Sequence, residues 1–118
     1  KQLIVINDES LIEQLEPDFS ALLKQQGRGV VITAHSSTDA DFVSRYFAPW
    51  VGVDEDPVTG SAHCALCVYW AKELGKAQLK GFQASKRSGV VYTELLSPEY
   101  VKLSGSAVTM LRGDMRIA

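Results

Sequence analysis

The chain has 118 residues, 46% of them hydrophobic and 22% charged, the composition of one ordinary globular domain with enough sequence for a core of its own. Its 12 Lys and Arg against 14 Asp and Glu give a net charge of −2, which excludes the basic excess of a general nucleic-acid binder. It has no apolar run of the ~18 residues a membrane span needs, and Lys1–Ile6 lacks the length and cleavage site of a secretion signal. No membrane or nucleic-acid partner and a cytoplasmic location are therefore the expectation.

In chain order, Lys1–Ile6 reads as a short apolar strand. Asn7-Asp8-Glu9 is a turn, and Ser10 three residues before Glu13 has the pattern of a capping box opening a helix over 10–15. Pro17 suits the first turn of a second helix, 17–26, whose apolar stripe is Phe19, Leu22 and Leu23 and which Gly27 stops. Gly29–Ala34 is a β-branched run and predicts a strand. Asp41–Phe47 predicts another, ended by Pro49, and Gly52–Gly60 is dense in turn residues.

Ser61–Leu74 is the strongest helix. Apolar residues cover nearly its whole circumference, the pattern of a buried helix, and Gly75 is a good stop with Lys72 and Lys76 suited to the dipole. Cys64 and Cys67, three apart on this helix with no second pair, make a poor zinc site, so no metal is expected and both read as small buried residues. Strands follow near 78–85, 89–96, 100–103, 106–111 and 114–117. One buried helix among six to eight short strands predicts an α+β domain in which a curved, barrel-like sheet of antiparallel or mixed pairing wraps a central helix.

Asp54-Glu55-Asp56-Pro57-Val58-Thr59-Gly60-Ser61 is the site-like stretch. A helix start presents unpaired N–H groups and partial positive charge. Gly60 allows close approach and Ser61 adds a hydroxyl, so the pair could hold a substrate carboxylate or phosphate. A carboxylate at the rim could move protons. The plainer alternative is a well-capped helix start, with Thr59 as N-cap and acidic residues favoured by the dipole. His63 could reach such a pocket or pack in the core. His35 reads as a solvated loop residue, Lys86-Arg87 as a solvated turn, and Trp50 and Trp70 as packing residues.

Tyr46-Phe47-Ala48-Pro49, Gly52 and Glu55-Asp56-Pro57-Val58-Thr59-Gly60-Ser61-Ala62 together resemble the signature of the PhzF-like (phenazine biosynthesis) family. Gln83-Ala84-Ser85-Lys86-Arg87-Ser88-Gly89 is similar to its Gln-x-Ser-x-Arg-Gly-Gly stretch, with Ser88 in place of a common glycine. Val101–Val108 is similar to its closing Val-x-x-x-Gly-x-Ala pattern. The resemblance covers residues 28–118 well and 1–27 loosely. It implies one half of a diaminopimelate-epimerase-like fold, the C-terminal domain of a two-domain protein about twice this length. It also implies cofactor-free isomerisation by proton transfer in the cleft between domains. Asp56 matches the family's active-site aspartate, and Gly60 and Ser61 match positions that contact substrate. The partners so implied are a small carboxylate-bearing metabolite and the missing N-terminal domain, which carries the principal acid/base glutamate and a histidine. Pairing with a second copy is left open. Little activity is expected of this half alone. The other reading is a non-catalytic module that keeps the fold and binds a small ligand or a protein.

Overall fold

β-branched and aromatic residues are frequent in the strands of the computed structural model, which describes residues 1–118. β1 (Gln2–Val5), β2 (Val30–His35), β3 (Phe42–Ala48), β4 (Val53–Glu55), β5 (Gln78–Gln83), β6 (Gly89–Ser97) and β7 (Tyr100–Ser104) form one seven-stranded sheet. The order is β1-β2-β3-β5-β6-β7, with β4 joined to β3. The β1–β2 and β3–β5 pairs are parallel and the others antiparallel, so the sheet is mixed, as expected.

Three helices accompany it: α1 (Glu9–Gln14), α2 (Phe19–Leu23) and α3 (Gly60–Leu74). α1 starts one residue earlier than the capping-box pattern suggests. Asp8, not Ser10, is its N-cap, and the Asp8 carboxylate accepts from the Ser10 amide at 2.9 Å. α2 is shorter than the expected 17–26, with Asp18 accepting from the Ala21 amide. α1 is tied to the sheet by Arg45 on β3. Its guanidinium donates to the carbonyls of Ile12 and Leu15 at 3.0 and 2.7 Å while gripping Glu55 through two nitrogens at 2.8 and 2.9 Å.

α3 lies inside the curl of the sheet. Ala62, Leu66, Cys67, Trp70 and Ala71 on its inner face join Val31, Phe42, Tyr46, Ala48 and Leu79 in the main core. Each large apolar side chain buried there contributes about 1.5–3 kcal/mol. Leu3 of β1 and Val101 of β7 pack against this core, and the Lys1 ammonium donates to the Ser61 hydroxyl. The helix is not buried all round as its composition suggests. Ser61, Cys64, Ala65 and Val68 face out of the curl and are exposed, because the sheet covers one side only. Cys64 is therefore exposed, contrary to expectation, while Cys67 is buried.

Two further corrections concern strands. Val53–Glu55, read as loop, is β4, a three-residue return onto β3. The strands expected near 106–111 and 114–117 are absent, and residues 105–118 form no helix or strand. Val108, Met110, Leu111, Met115 and Ile117 are each more than 80% exposed. Their apolar alternation finds no neighbouring strand in this chain, and an isolated strand leaves its backbone groups to water.

Candidate functional site

One edge of β3 is shared by two strands, and the gap between them makes the site. β5 pairs with β3 only as far as Ser44, opposite Gln83, and β4 pairs with β3 only from Phe47 onward. In the interval the Ala84 amide donates to Ser44 O at 2.8 Å and the Asp56 amide donates to Tyr46 O at 3.2 Å. The end of β5 and the loop entering α3 are thus laid side by side on the same strand.

The three consecutive carboxylates take three different environments. Asp54 is exposed on β4. Glu55 is held by Arg45, whose guanidinium is in turn pushed further up by that carboxylate. Asp56 alone turns to the helix start, where its Oδ2 accepts from Thr59 Oγ1 at 2.7 Å. Thr59 occupies the N-cap position with extended backbone, as the plainer reading has it. Its side chain makes no capping bond, however, because the hydroxyl is turned to Asp56.

The loop is pinned from beneath by buried polar groups. Gln83, 1% exposed, accepts from the Thr59 amide at 2.7 Å and donates to Asp56 O at 2.7 Å and to Thr59 Oγ1 at 3.2 Å. The Ser85 hydroxyl donates to Pro57 O. A Cβ on Gly89 would stand 2.5 Å from Val58 Cγ2, so the loop packs directly on the start of β6. Beside it Ser88 takes φ 55°, the left-handed conformation that favours glycine.

His63 is fully buried and takes the structural role of the two weighed for it. Its Nδ1 is 2.8 Å from Thr59 O, and since a carbonyl only accepts, Nδ1 carries the proton. Burial pushes its pKa below the ordinary 6.5, against the opposing pull of the Thr59 carbonyl, and Nε2 has no partner. The ring packs 5.9 Å from Phe42.

Gly60 and Ser61 sit exposed in the first turn of α3, next to this network. Their amides belong to the turn whose N–H groups have no partner within the helix. The Lys1 ammonium beside Ser61 adds positive charge there. A Cβ on Gly60 would meet nothing closer than Leu103 Cδ1 at 3.7 Å, so neither packing nor a positive φ demands glycine at this position. A groove of about 630 Å3 lined by Glu55, Pro57, Ser85, Lys86 and Arg87 runs along one side of the loop. Arg87 also lines a second groove with Val58, Gly60 and Gly89. No three His, Cys, Asp or Glu side chains are grouped to hold a metal ion.

His35 is exposed at the end of β2. Trp70 stacks on Phe42 in the core, and Trp50 packs over Gly27 with its indole N–H on Gln25 O. Gln83 is the site residue that motif reading quotes but assigns no role. Its signal is periodicity: Leu79, Gly81 and Gln83 are the inward positions of β5, and a polar residue on that phase needs buried partners.

The order of these residues along the chain is matched by a family model. The model described as phenazine biosynthesis-like protein, PhzC-PhzF, matches residues 1–113. The chain belongs to the PhzC-PhzF family. A Pseudomonas aeruginosa relative described as an uncharacterized isomerase is 45% identical over 118 residues, all of this chain and 44% of the relative. A second uncharacterized isomerase, from Halalkalibacterium halodurans, is 47% identical over 114 residues, 96% of this chain and 43% of the relative. A crystal structure of a PhzC/PhzF protein from Clostridium difficile superposes with a TM-score of 0.86 at 40% identity, over 98% of this chain and 44% of that one. A PhzF-family structure from Enterococcus faecalis does so at 0.77 and 38% identity, over 91% and 44%. The fold is thus the PhzF fold in part, and the chain spans under half the length of the relatives it matches.

Proposed function

We propose that these residues form the C-terminal domain of a cofactor-independent PhzF-like isomerase. The reaction moves a proton on a small carboxylate-bearing metabolite held between two domains. The observation that carries this reading is the Asp56 carboxylate fixed on Thr59 at the mouth of α3. In the proposal Asp56 takes or returns the proton, and the first-turn amides and the Ser61 hydroxyl hold the substrate carboxylate. The two roles sit within one turn of chain, so a bound anion and its reacting carbon are presented to the carboxylate together. The second acid/base group comes from the other half of the protein, and this domain alone turns over little or nothing, since the lost positioning costs large factors in rate.

The test uses the protein at the full length of its relatives, incubated in deuterium oxide with a panel of unsaturated and cyclic mono- and dicarboxylic acids. Proton transfer at carbon washes solvent deuterium into the acid that is the substrate, read by mass. Asp56→Asn keeps an oxygen for the Thr59 hydroxyl and should lower the exchange by about 100-fold or more. Unchanged exchange in that variant, or no exchange on any acid by the wild type, overturns the reading.

A further inference from the structure

We infer that Gln83 is a positioning residue that fixes the direction of the Thr59 hydroxyl proton and so leaves Oδ1 of Asp56 as the oxygen that exchanges protons. The inference rests on the catalytic role proposed for Asp56. One end of the Gln83 carboxamide faces the Thr59 N–H, which can only donate. The other end faces the Asp56 carbonyl, which can only accept. The orientation is therefore set by its backbone partners: Oε1 lies toward Thr59 N and Nε2 toward Asp56 O, and a flipped amide would oppose donor to donor and acceptor to acceptor.

Nε2 also donates into Thr59 Oγ1 at 3.2 Å. A hydroxyl has one proton to give, and with a donor already pointing at the oxygen, that proton goes to the acceptor 2.7 Å away, Asp56 Oδ2. The cap bond that a Thr at this position ordinarily makes is forgone. The backbone on both sides is clamped, Pro57 O by the Ser85 hydroxyl and Thr59 O by His63, so the loop holds the side chain in this geometry. With Oδ2 committed to an incoming proton, a proton arriving at the carboxyl is accommodated on Oδ1. Gln83 is buried and touches no substrate; it acts through Thr59 and Asp56.

The test is nuclear magnetic resonance on the 118-residue chain. Couplings across the hydrogen bonds from Thr59 N to the Gln83 carboxamide carbon and from Gln83 Nε2 to the Asp56 carbonyl carbon should be present in the wild type. Their absence overturns the assignment without any variant having to fold. The three-bond side-chain couplings of Asp56 should report one χ1 rotamer in the wild type and in Thr59→Ser, which keeps the hydroxyl. They should report averaged rotamers in Thr59→Val and in Gln83→Met, with the ring resonances of Trp70 unmoved. A single Asp56 rotamer in Thr59→Val or Gln83→Met assigns Gln83 to folding alone and overturns the relay. At full length, Thr59→Val should lower kcat by up to about a hundredfold with KM unchanged, and Thr59→Ser should restore it. A raised KM at unchanged kcat overturns the relay and makes Thr59 a substrate contact. If the full-length protein exchanges no proton at all, the isomerase reading fails while the couplings still decide the relay.

Discussion

Replacing Gly81 with alanine sets two effects of known size against each other. Alanine in the middle of a strand is favoured over glycine by roughly 0.5–1 kcal/mol, because glycine loses more conformational freedom on folding. At this position the added Cβ would lie 2.5 and 2.6 Å from Cζ and Cε2 of Phe42 and 3.1 Å from Cδ2 of His63. Gly81 is the registered partner of Phe42 across the β3–β5 pair, and the ring lies over it. To reach ordinary contact the ring must retreat by roughly 0.9 Å. It has little room to do so, since it is fully buried, stacked on Trp70 with 6.2 Å between centroids, and has His63 at 5.9 Å. Overpacking of this kind costs about 1–3 kcal/mol. The expected net result is a loss on the order of 1–2 kcal/mol. With a urea slope of about 2 kcal/mol per molar, the middle of the usual range, the midpoint followed by tryptophan fluorescence should fall by roughly 0.5–1 M. A midpoint that stays or rises would mean that the Phe42 ring relocates without cost, and the reasoning from packing would be wrong.

Two other outcomes follow from buried polar groups. Thr33 is fully buried; its hydroxyl donates to Val43 O at 2.7 Å and accepts from the Trp70 indole N–H at 3.0 Å. Thr33→Val keeps the shape and strands both partners, so it should cost about 1–3 kcal/mol by urea unfolding, with Thr33→Ser losing clearly less; equal losses would refute the hydrogen-bond argument. Stability should also fall in acid in two steps. Burial holds the folded-state pKa of His63 below 6.5. Its contribution is therefore complete above that pH and declines as pH drops toward the folded value, where the unfolded chain takes a proton the folded one resists. Burial pushes the Asp41 carboxyl up, but the Lys76 ammonium and the Lys80 amide outweigh it and hold the group below its ordinary 3.8. That contribution is present above about pH 4 and lost as pH falls through the lowered value. His63→Gln should flatten the first step and Asp41→Asn should reduce the second, which the lowered Asp8, Glu9 and Asp39 carboxyls share, measured as unfolding free energy against pH; a step left unchanged by its substitution is misassigned.

The elements with the clearest local signals were legible in the sequence. The β-branched run at 29–34 and the apolar helix closed by Gly75 at φ 66° lie where their patterns place them. What was not legible depends on partners distant in the chain. Val53–Glu55 is too short to announce itself and becomes a strand only because β3 offers an edge. Conversely, 106–111 has a strand's alternation but no strand beside it. The wetted face of α3 was invisible because residue type does not say how far a sheet curls. At the site, the motif singled out Asp56, Gly60 and Ser61, and the structure sets them around one helix start. Spacing alone does not say which of the three carboxylates turns inward, because that choice is made by Arg45 and Thr59, one distant and one usable in two ways. The use of Gln83 likewise depends on a contact spanning 24 residues to Thr59.

The shared edge of β3 has a mechanical consequence. β5–β7 meet the rest of the sheet through three registered pairs, Phe42–Gly81, Val43–Phe82 and Ser44–Gln83. Asp56 and Thr59 belong to one side of that joint, Gln83 and Ser85 to the other. The clamp on the Asp56–Thr59 pair therefore does not exist in either part by itself. A folding intermediate with both strand groups formed but undocked would have its secondary structure without this clamp, and strain that parts β3 from β5 would release the loop from Gln83 while β3 keeps β2 and β5 keeps β6.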